Sequence, residues 1–320
     1  MDTTTHPVKH LTNDQVCEIL SVSECVGVVE DLFKDLSNTQ MPPKIYLDIP
    51  NGDFRAMPAI VGSTAGIKWC GVHLDESGKK RKINIFAKVL INDVDSGKLL
   101  AIMDGESITA IRTAAVTGVA TKYLSALDAQ TAAFIGCGNQ TKNQIEAVTS
   151  VRDILTIKLF DLDLDRAKAL KEELDGILPI SCRPSVIVCE SLEQCVKNAN
   201  IVTTLTPSRK GYLEYDWLLP NVHINAVGAD AEGKRELCES VIPNVDMVIY
   251  DNYEQCSHSG EIQYFKKDER WDSLESVVSG RWLKDGRVQD TLFDATGLAI
   301  EDVAAGRYIY EKLVKSEQYS

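Results

Sequence analysis

The stretch Thr131-Ala132-Ala133-Phe134-Ile135-Gly136-Cys137-Gly138-Asn139-Gln140-Thr141 decides the reading of this chain. Its first five residues form a short apolar run of the kind seen in strands that helices cover on both faces. Two glycines interrupt the run, and Gln144, Ile145 and Val148 then follow at helical spacing. In such a strand, turn and helix, the first glycine permits the tight turn and the second removes a side chain where a pyrophosphate would approach the backbone. The helix N-terminus then offers free N–H groups and positive dipole to that anion. Thr141 stands where the full pattern has its third glycine. The next apolar strand, Thr156–Phe160, runs into Asp161, about 25 residues past Gly136, where a carboxylate accepts ribose hydroxyls and repels a 2′-phosphate. NAD is therefore expected over NADP, with Arg166 the nearby feature that would suit the latter. The plainer alternative is a tight strand-to-helix turn with Asp161 capping the next helix.

Outward from this turn the sequence alternates helix and strand. Helices are expected at 110–124, 140–150, 164–174 and 191–198, and strands at 131–135, 156–161, 185–189, 201–205, 222–227 and 246–250. Alternation of this kind predicts an α/β architecture, a Rossmann-type parallel sheet domain. Residues 44–103 differ: short β-prone runs are broken by Asn51-Gly52, Asp75-Glu76-Ser77-Gly78 and Asp95-Ser96-Gly97, the pattern of a small mixed sheet with hairpin turns. Before it come two helices, the first opened by the capping-box pattern Thr12-Asn13-Asp14-Gln15, the second beginning near Ser23 and ending before Pro42-Pro43. The last stretch, Ala299 to Val314, has helical periodicity and is expected to pack back on this first lobe. The expected division is residues 1–112 with 299–320 as a smaller α+β substrate and dimerisation domain, and 113–298 as the NAD-binding domain.

Composition sets the outer limits. A net charge of −13 argues against nucleic acid or an anionic membrane surface as a partner, and 44% hydrophobic with 25% charged residues is the balance of an ordinary globular protein. No leader-like start and no apolar run of about 18 residues is visible, so a cytoplasmic protein without membrane spans is expected. The nine cysteines lack any C-x-x-C pair and read as buried free thiols; the five histidines show no ligand spacing, and no metal is expected.

The first lobe gathers cations among apolar neighbours: Lys44 after two prolines, Arg55, Lys68 in Gly66-Ile67-Lys68-Trp69, and Arg112 in Ile111-Arg112-Thr113. Singly, such residues usually snorkel to solvent. Together they form a candidate carboxylate clamp, in which a guanidinium grips bidentately and a desolvated lysine can carry a proton. In the second domain the strand ending at Val227 leads into Gly228-Ala229-Asp230-Ala231-Glu232-Gly233-Lys234, at the carboxyl end where open α/β sheets bind ligands.

These segments carry a resemblance over almost the whole chain. MPPKIYL (41–47), FRAMPA (54–59), GIKW (66–69), IRTAAVTGVATKYL (111–124), FIGCGNQ (134–140), TPSRK (206–210), HINAVGADAEGKREL (223–237), SGEIQ (259–263) and FDATGLAIEDVA (293–304) resemble the ornithine cyclodeaminase/μ-crystallin family, closest in motifs to its archaeal-type alanine dehydrogenase branch. The resemblance implies a homodimer acting on a small amino or imino acid. It assigns Lys44, Arg55, Lys68 and Asp230 to substrate binding, Arg55 and Lys68 holding the carboxylate, Lys68 and Asp230 to acid/base work, and Asn84, Arg112, Gly136, Gly138, Asn139, Gln140, Asp161, Thr206, Val227, Gly228 and Lys234 to NAD. Asn84 stands where the family usually has Thr, Ala295 where it usually has Ser, and Leu74 where it commonly has Pro. Four outcomes remain open on this frame: an amino-acid dehydrogenase, an ornithine cyclodeaminase, a cyclic ketimine reductase, or a non-catalytic μ-crystallin-like binder.

Overall fold

The chain begins with β1 (Lys9–Leu11) and two helices, α1 (Asn13–Ile19) and α2 (Val22–Lys34). Both open with a full capping box: Gln15 N donates to Thr12 and Glu24 N to Ser21, and in each case the Gln or Glu side chain reaches back to the cap's own N–H. The second helix is thus capped at Ser21 and starts at Val22, one residue earlier than periodicity alone suggests. Next come β2 (Thr39–Gln40), β3 (Ile45–Ile49), β4 (Gly52–Val61), β5 (Thr64–Asp75), β6 (Lys82–Asp93) and β7 (Leu99–Asp104), then α3 (Gly105–Leu124). The remaining elements are β8 (Thr131–Ile135), α4 (Thr141–Val151), β9 (Thr156–Phe160), α5 (Leu164–Ile177), β10 (Ser185–Val188), α6 (Leu192–Val196), β11 (Ile201–Thr204), β12 (Arg209–Leu213), β13 (His223–Ala226), β14 (Arg235–Leu237), α7 (Val241–Asn244), β15 (Met247–Tyr250), α8 (Tyr253–Ser259), β16 (Trp271–Ser273), α9 (Leu274–Val278), β17 (Thr291–Asp294) and α10 (Ala299–Gln318).

This computed structural model describes residues 7–75, 82–177, 184–281 and 290–318. Two units separate, Met1–Arg112 with Leu298–Ser320, and Thr113–Gly297. In the first, a mixed sheet runs in the order β1-β7-β6-β5-β4-β2, with β3 on the free part of β4. Its strands pair antiparallel except β1, which lies parallel to β7. The turn at Asn51-Gly52 joins β3 to β4 and that at Asp95-Ser96-Gly97 joins β6 to β7. Residues 76–78 of the third expected turn lie outside the described residues. The helix α10 packs across β4, β5 and β6 and against α2. Its buried side is small and apolar (Val303, Ala304, Ala305, Gly306, Ile309), which lets the helix lie close to the sheet; a Cβ on Gly306 would meet Ile91 at 3.2 Å.

The second unit is an eight-stranded sheet, order β10-β9-β8-β11-β13-β17-β15-β16, with every pair parallel. Strand order reverses between β8 and β11, the switch point of a doubly wound sheet. Alternate residues of β8 go to opposite layers: Ala133 and Ile135 join the core with Ile224 and Leu292, while Ala132 and Phe134 join Ile145, Ile157 and Leu159. Phe134 is fully buried, so Phe134→Ala would cost about 3–5 kcal/mol.

Other features also depart from the sequence reading. Helix α3 starts at Gly105 rather than 110. The strands β16 and β17 were not expected, yet β17 lies between β13 and β15 in the sheet; four residues, Thr291-Leu292-Phe293-Asp294, are too short a run for a periodic signal. Cys17 is exposed and Cys238 half-buried, whereas Cys25, Cys70, Cys137, Cys189, Cys195 and Cys256 are buried and free as expected; Cys182 lies outside the described residues. Among the described residues no helix is long and apolar enough to cross a membrane.

Candidate functional site

In the second unit the glycine turn sits at the switch point. Gly136 has φ +97°, and a Cβ there would stand 2.9 Å from the Leu205 carbonyl oxygen at the end of β11, so two strand ends pinch together with no room for a side chain. A Cβ on Gly138, by contrast, would meet no heavy atom within 4 Å. Thr141, at the third glycine position, is fully buried and its hydroxyl donates to the Gly136 carbonyl at 2.7 Å, closing the turn from inside. Helix α4 begins without a side-chain cap, and the buried Gln140 Oε1 has no hydrogen-bond partner. Asp161, ending β9, accepts from Cys137 N through Oδ2 and from Asp163 N through Oδ1, both at 2.8 Å. It therefore braces the turn, and each oxygen keeps a lone pair for a ribose hydroxyl. An open second glycine, an uncapped helix start and a braced acceptor fit a dinucleotide. Arg166 faces Asp163 at 3.7 Å.

The carboxyl ends of β11, β13 and β17 hold a second cluster, organised by Glu236. Fully buried, it accepts from Thr204 Oγ1 (2.7 Å), Thr206 N (2.6 Å), Thr206 Oγ1 (2.7 Å), Tyr212 OH (2.7 Å) and Gly228 N (2.9 Å). One carboxylate thus ties together the two loops that carry Thr206, Val227 and Gly228. A Cβ on Gly228 would lie 2.3 Å from the Thr206 carbonyl oxygen, which fixes that glycine. Asp230 lies beyond it, paired with Lys234, whose Nζ also reaches the Gly228 carbonyl at 3.4 Å. Glu236 N and Leu237 N donate to Glu261, and Ile262 N donates to Asp294. Burial, followed by the neighbouring Asp294 and Glu236 charges, pushes Glu261 up to about 9; burial likewise lifts Asp294 to about 8 and raises Glu236.

In the first unit two of the four expected clamp residues, Arg55 and Lys68, share one sheet face. Arg55 opposes Cys70 and Lys68 opposes Met57 across β4 and β5, so Arg55 and Lys68 point to the same side. Arg55 pairs with Asp53 (Nε to Oδ1, 2.6 Å) and lies over the Tyr46 ring at 5.4 Å. Lys44 immediately precedes β3. Asn84, half-buried on β6, opposes His73. Lys68 is almost wholly buried: its Nζ lies 3.0 Å and 2.8 Å from the two Asp302 oxygens and 3.4 Å from Thr109 Oγ1. Arg112, expected at the cofactor, gives Nε to Asp302 Oδ1 and Nη1 to Glu301 Oε2, both at 2.9 Å. Burial and the Arg112 charge pull the Lys68 pKa down, against Asp302. For Asp302 burial opposes ionisation, but Arg112 and Lys68 outweigh it and the pKa falls.

Glu301, Asp302, Glu236, Glu261 and Asp294 were not among the expected site residues. For Asp294, Glu301 and Asp302 the signal was present as acidic residues inside otherwise apolar segments, Ala299-Ile300-Glu301-Asp302-Val303 above all, where a carboxylate has no reason to be without a partner; Glu236 and Glu261, among polar neighbours, carried no such signal.

The full-length comparison agrees with these segments. The model of the ornithine cyclodeaminase/mu-crystallin family matches residues 8–317. The chain belongs to this family. Among family relatives, the alanine dehydrogenase of Archaeoglobus fulgidus is 36% identical over 312 residues, covering 94% of either chain. A solved archaeal alanine dehydrogenase dimer with bound NAD superposes with a TM-score of 0.88 at 34% identity, covering 97% of each chain. The Thermococcus litoralis Δ1-pyrroline-2-carboxylate reductase, solved with NADH and L-proline, also gives 0.88, at 26% identity and 97% of this chain against 98% of that one.

Proposed function

We propose that this family member is an NAD-dependent amino-acid dehydrogenase of the alanine dehydrogenase type, interconverting an L-α-amino acid with its imine and 2-oxo acid. The observation that carries this reading is the glycine turn at the switch point, open at Gly138 and braced by Asp161, in a chain 34% identical along 97% of its length to an archaeal alanine dehydrogenase dimer with bound NAD. In this reading the backbone at Gly136, Gly138, Asn139 and Gln140 holds the pyrophosphate and Asp161 the ribose hydroxyls, while Thr206, Val227, Gly228 and Lys234 line the nicotinamide end. NAD, when bound, supplies the two-electron hydride acceptor.

The chain's own residues do the rest. Arg55 and Lys68 hold the substrate carboxylate, with Lys44 contributing charge. Asp230 takes the proton of the substrate ammonium, because only the neutral amine readily gives up its α-hydrogen as hydride. With Lys234 fixing one of its oxygens, Asp230 then orients the water that attacks the imine carbon, and ammonia leaves. In the reverse sense the same groups reduce a preformed imine, the second reading favoured by the likeness to the pyrroline-2-carboxylate reductase. In the family's cyclodeaminase outcome the substrate's own δ-amine would replace water as nucleophile, ammonia would leave, and the cyclic imine so formed would take the hydride back, with no net change of redox state.

We place the dimer contact on the sheet face turned away from α10. There Leu47, Phe54, Gly71 and Phe86 form one row across β3 to β6, and Ile45 and Trp69 sit in the next. Phe86 is 68% exposed and Ile45 55%, and Phe54 stacks on Trp69 at 5.6 Å, a concentration of apolar surface that a monomer rarely shows to water. The described cysteines are all free, which supports a reducing cytoplasmic setting.

Absorbance at 340 nm with NAD and a panel of alanine, ornithine, lysine, arginine and proline, with ammonia assayed in parallel, tests the function. NADH rising together with ammonia supports the dehydrogenase. Ammonia from ornithine without NADH would replace it with the cyclodeaminase, and silence would leave the imine reductase or a binding protein.

A further inference from the structure

The first unit holds four charges in a row with water excluded: Lys68, Asp302, Arg112 and Glu301, two positive and two negative, with side-chain exposures of 4%, 0%, 5% and 0%. Sign alternates along the row. Asp302 is the middle link, its Oδ1 receiving both Lys68 Nζ at 3.0 Å and Arg112 Nε at 2.9 Å. Both carboxylates sit in the first turn of α10, where the helix dipole favours negative charge. Stability does not demand the arrangement, because apolar side chains of similar volume commonly replace buried ion pairs with no loss. What the row provides is a lysine that is buried against a carboxylate and held in one place.

We propose that Asp302 is a positioning residue for the reaction: backed by Arg112 and Glu301, it fixes where the Lys68 ammonium sits and keeps it a cation able to hold the substrate carboxylate. This rests on the reading of Lys68 given above. An ammonium offers three donors, and here they meet one carboxylate and the Thr109 hydroxyl. The groups facing Lys68 are Asp302 from α10, Arg112 and Thr109 from α3, and Cys70 from its own strand; beyond Cys70, Arg55 and Asp53 pair with each other. Burial and Arg112 favour the neutral amine, and Asp302 is the main opposing charge. Without that charge the lysine loses its proton more readily and a neutral amine grips a carboxylate poorly.

The test compares wild type, Asp302→Asn, Asp302→Glu and Glu301→Gln. Each protein, labelled with 13C at lysine Cε, is titrated by NMR to read the Lys68 midpoint, and kcat and KM are measured across pH. Asp302→Asn should lower the Lys68 midpoint by about one pH unit or more, move the alkaline limb of kcat/KM by the same amount, and raise KM for the amino acid about ten-fold. Glu301→Gln removes an equal charge two links further along the row, beyond Arg112, and should move the midpoint less than half as far. A midpoint and alkaline limb unchanged in Asp302→Asn, or moved equally by Glu301→Gln, overturn the proposal. Should Asp302→Asn not fold, Asp302→Glu decides: it keeps the charge and displaces the ammonium, so KM rises about five-fold or more with the Lys68 midpoint near wild type, whereas a wild-type KM refutes the role. If the wild-type protein turns over no amino acid or imine, the reading of function fails by itself, and the NMR midpoints still decide for or against Asp302.

Discussion

Lys68 and Asp230 show how differently two residues of one expected mechanism are built. Lys68 gains its character from burial, since its ammonium has exchanged water for Asp302 and Thr109. Asp230 lies in a loop, more than a third exposed and paired with Lys234, with its place set by neighbours such as Gly228 and Glu236. Lys68→Met should therefore lower kcat/KM by about a thousand-fold, removing carboxylate binding and a proton-bearing group together. Asp230→Asn, which keeps the shape and removes the base, should cost about a hundred-fold or more, chiefly in kcat. Steady-state kinetics on both variants check this; turnover within a few-fold of wild type in either would return that residue to a structural role. Both residues were legible in the sequence, as a lysine in an apolar β-prone run and a carboxylate past a strand's carboxyl end. The partner of Lys68 was not, because Asp302 is 234 residues away and nothing in the local pattern of α10 marks which strand its first turn will meet.

At the scale of elements, the two glycines of the turn have different surroundings. Gly136 is demanded by the fold, with φ +97° and the Leu205 carbonyl 2.9 Å from where a Cβ would stand, so Gly136→Ala should lower stability by about 1–3 kcal/mol. Gly138 has open space on the side where a Cβ would point. Gly138→Val should leave the melting temperature within about 2 °C of wild type and weaken NADH binding about ten-fold or more, read by fluorescence titration. Unchanged affinity in Gly138→Val would remove the pyrophosphate from this turn. The strand, turn and helix were readable because each is set by near neighbours. The missed strand β17 is the contrary case: four residues become a central strand only because β13 and β15 supply hydrogen bonds on both sides.

For the molecule as a whole, charge and exposed surface make separate predictions. Asp294 is held protonated to about pH 8 by burial, while in the unfolded chain it titrates near 3.9. The folded state thus binds the extra proton, so this contribution to stability is fully present below about pH 4 and is lost as pH rises through about 8. Asp294→Asn removes that dependence, and the wild type should lose stability relative to the variant by roughly 1 kcal/mol per pH unit between pH 5 and 8. Differential scanning calorimetry across that range would show parallel curves if the carboxyl were ionised throughout. The sheet face is tested by Phe86→Asp, Phe86 being 68% exposed: a charge there should shift the protein from dimer to monomer in sedimentation velocity, and an unmoved dimer would place the contact elsewhere.

The sequence alone determined the parallel sheet, the glycine turn, the mixed first lobe and the family, because these follow from periodicity, turn chemistry and motifs whose parts lie within some twenty residues of one another. Tertiary structure decided what those parts face. The row from Lys68 to Glu301 joins residues 189 to 234 positions apart, and the donors around Glu236 come from separate loops and strands up to 32 positions away. A buried charge takes its meaning from whichever partner excludes water from it, and only the folded chain specifies that partner.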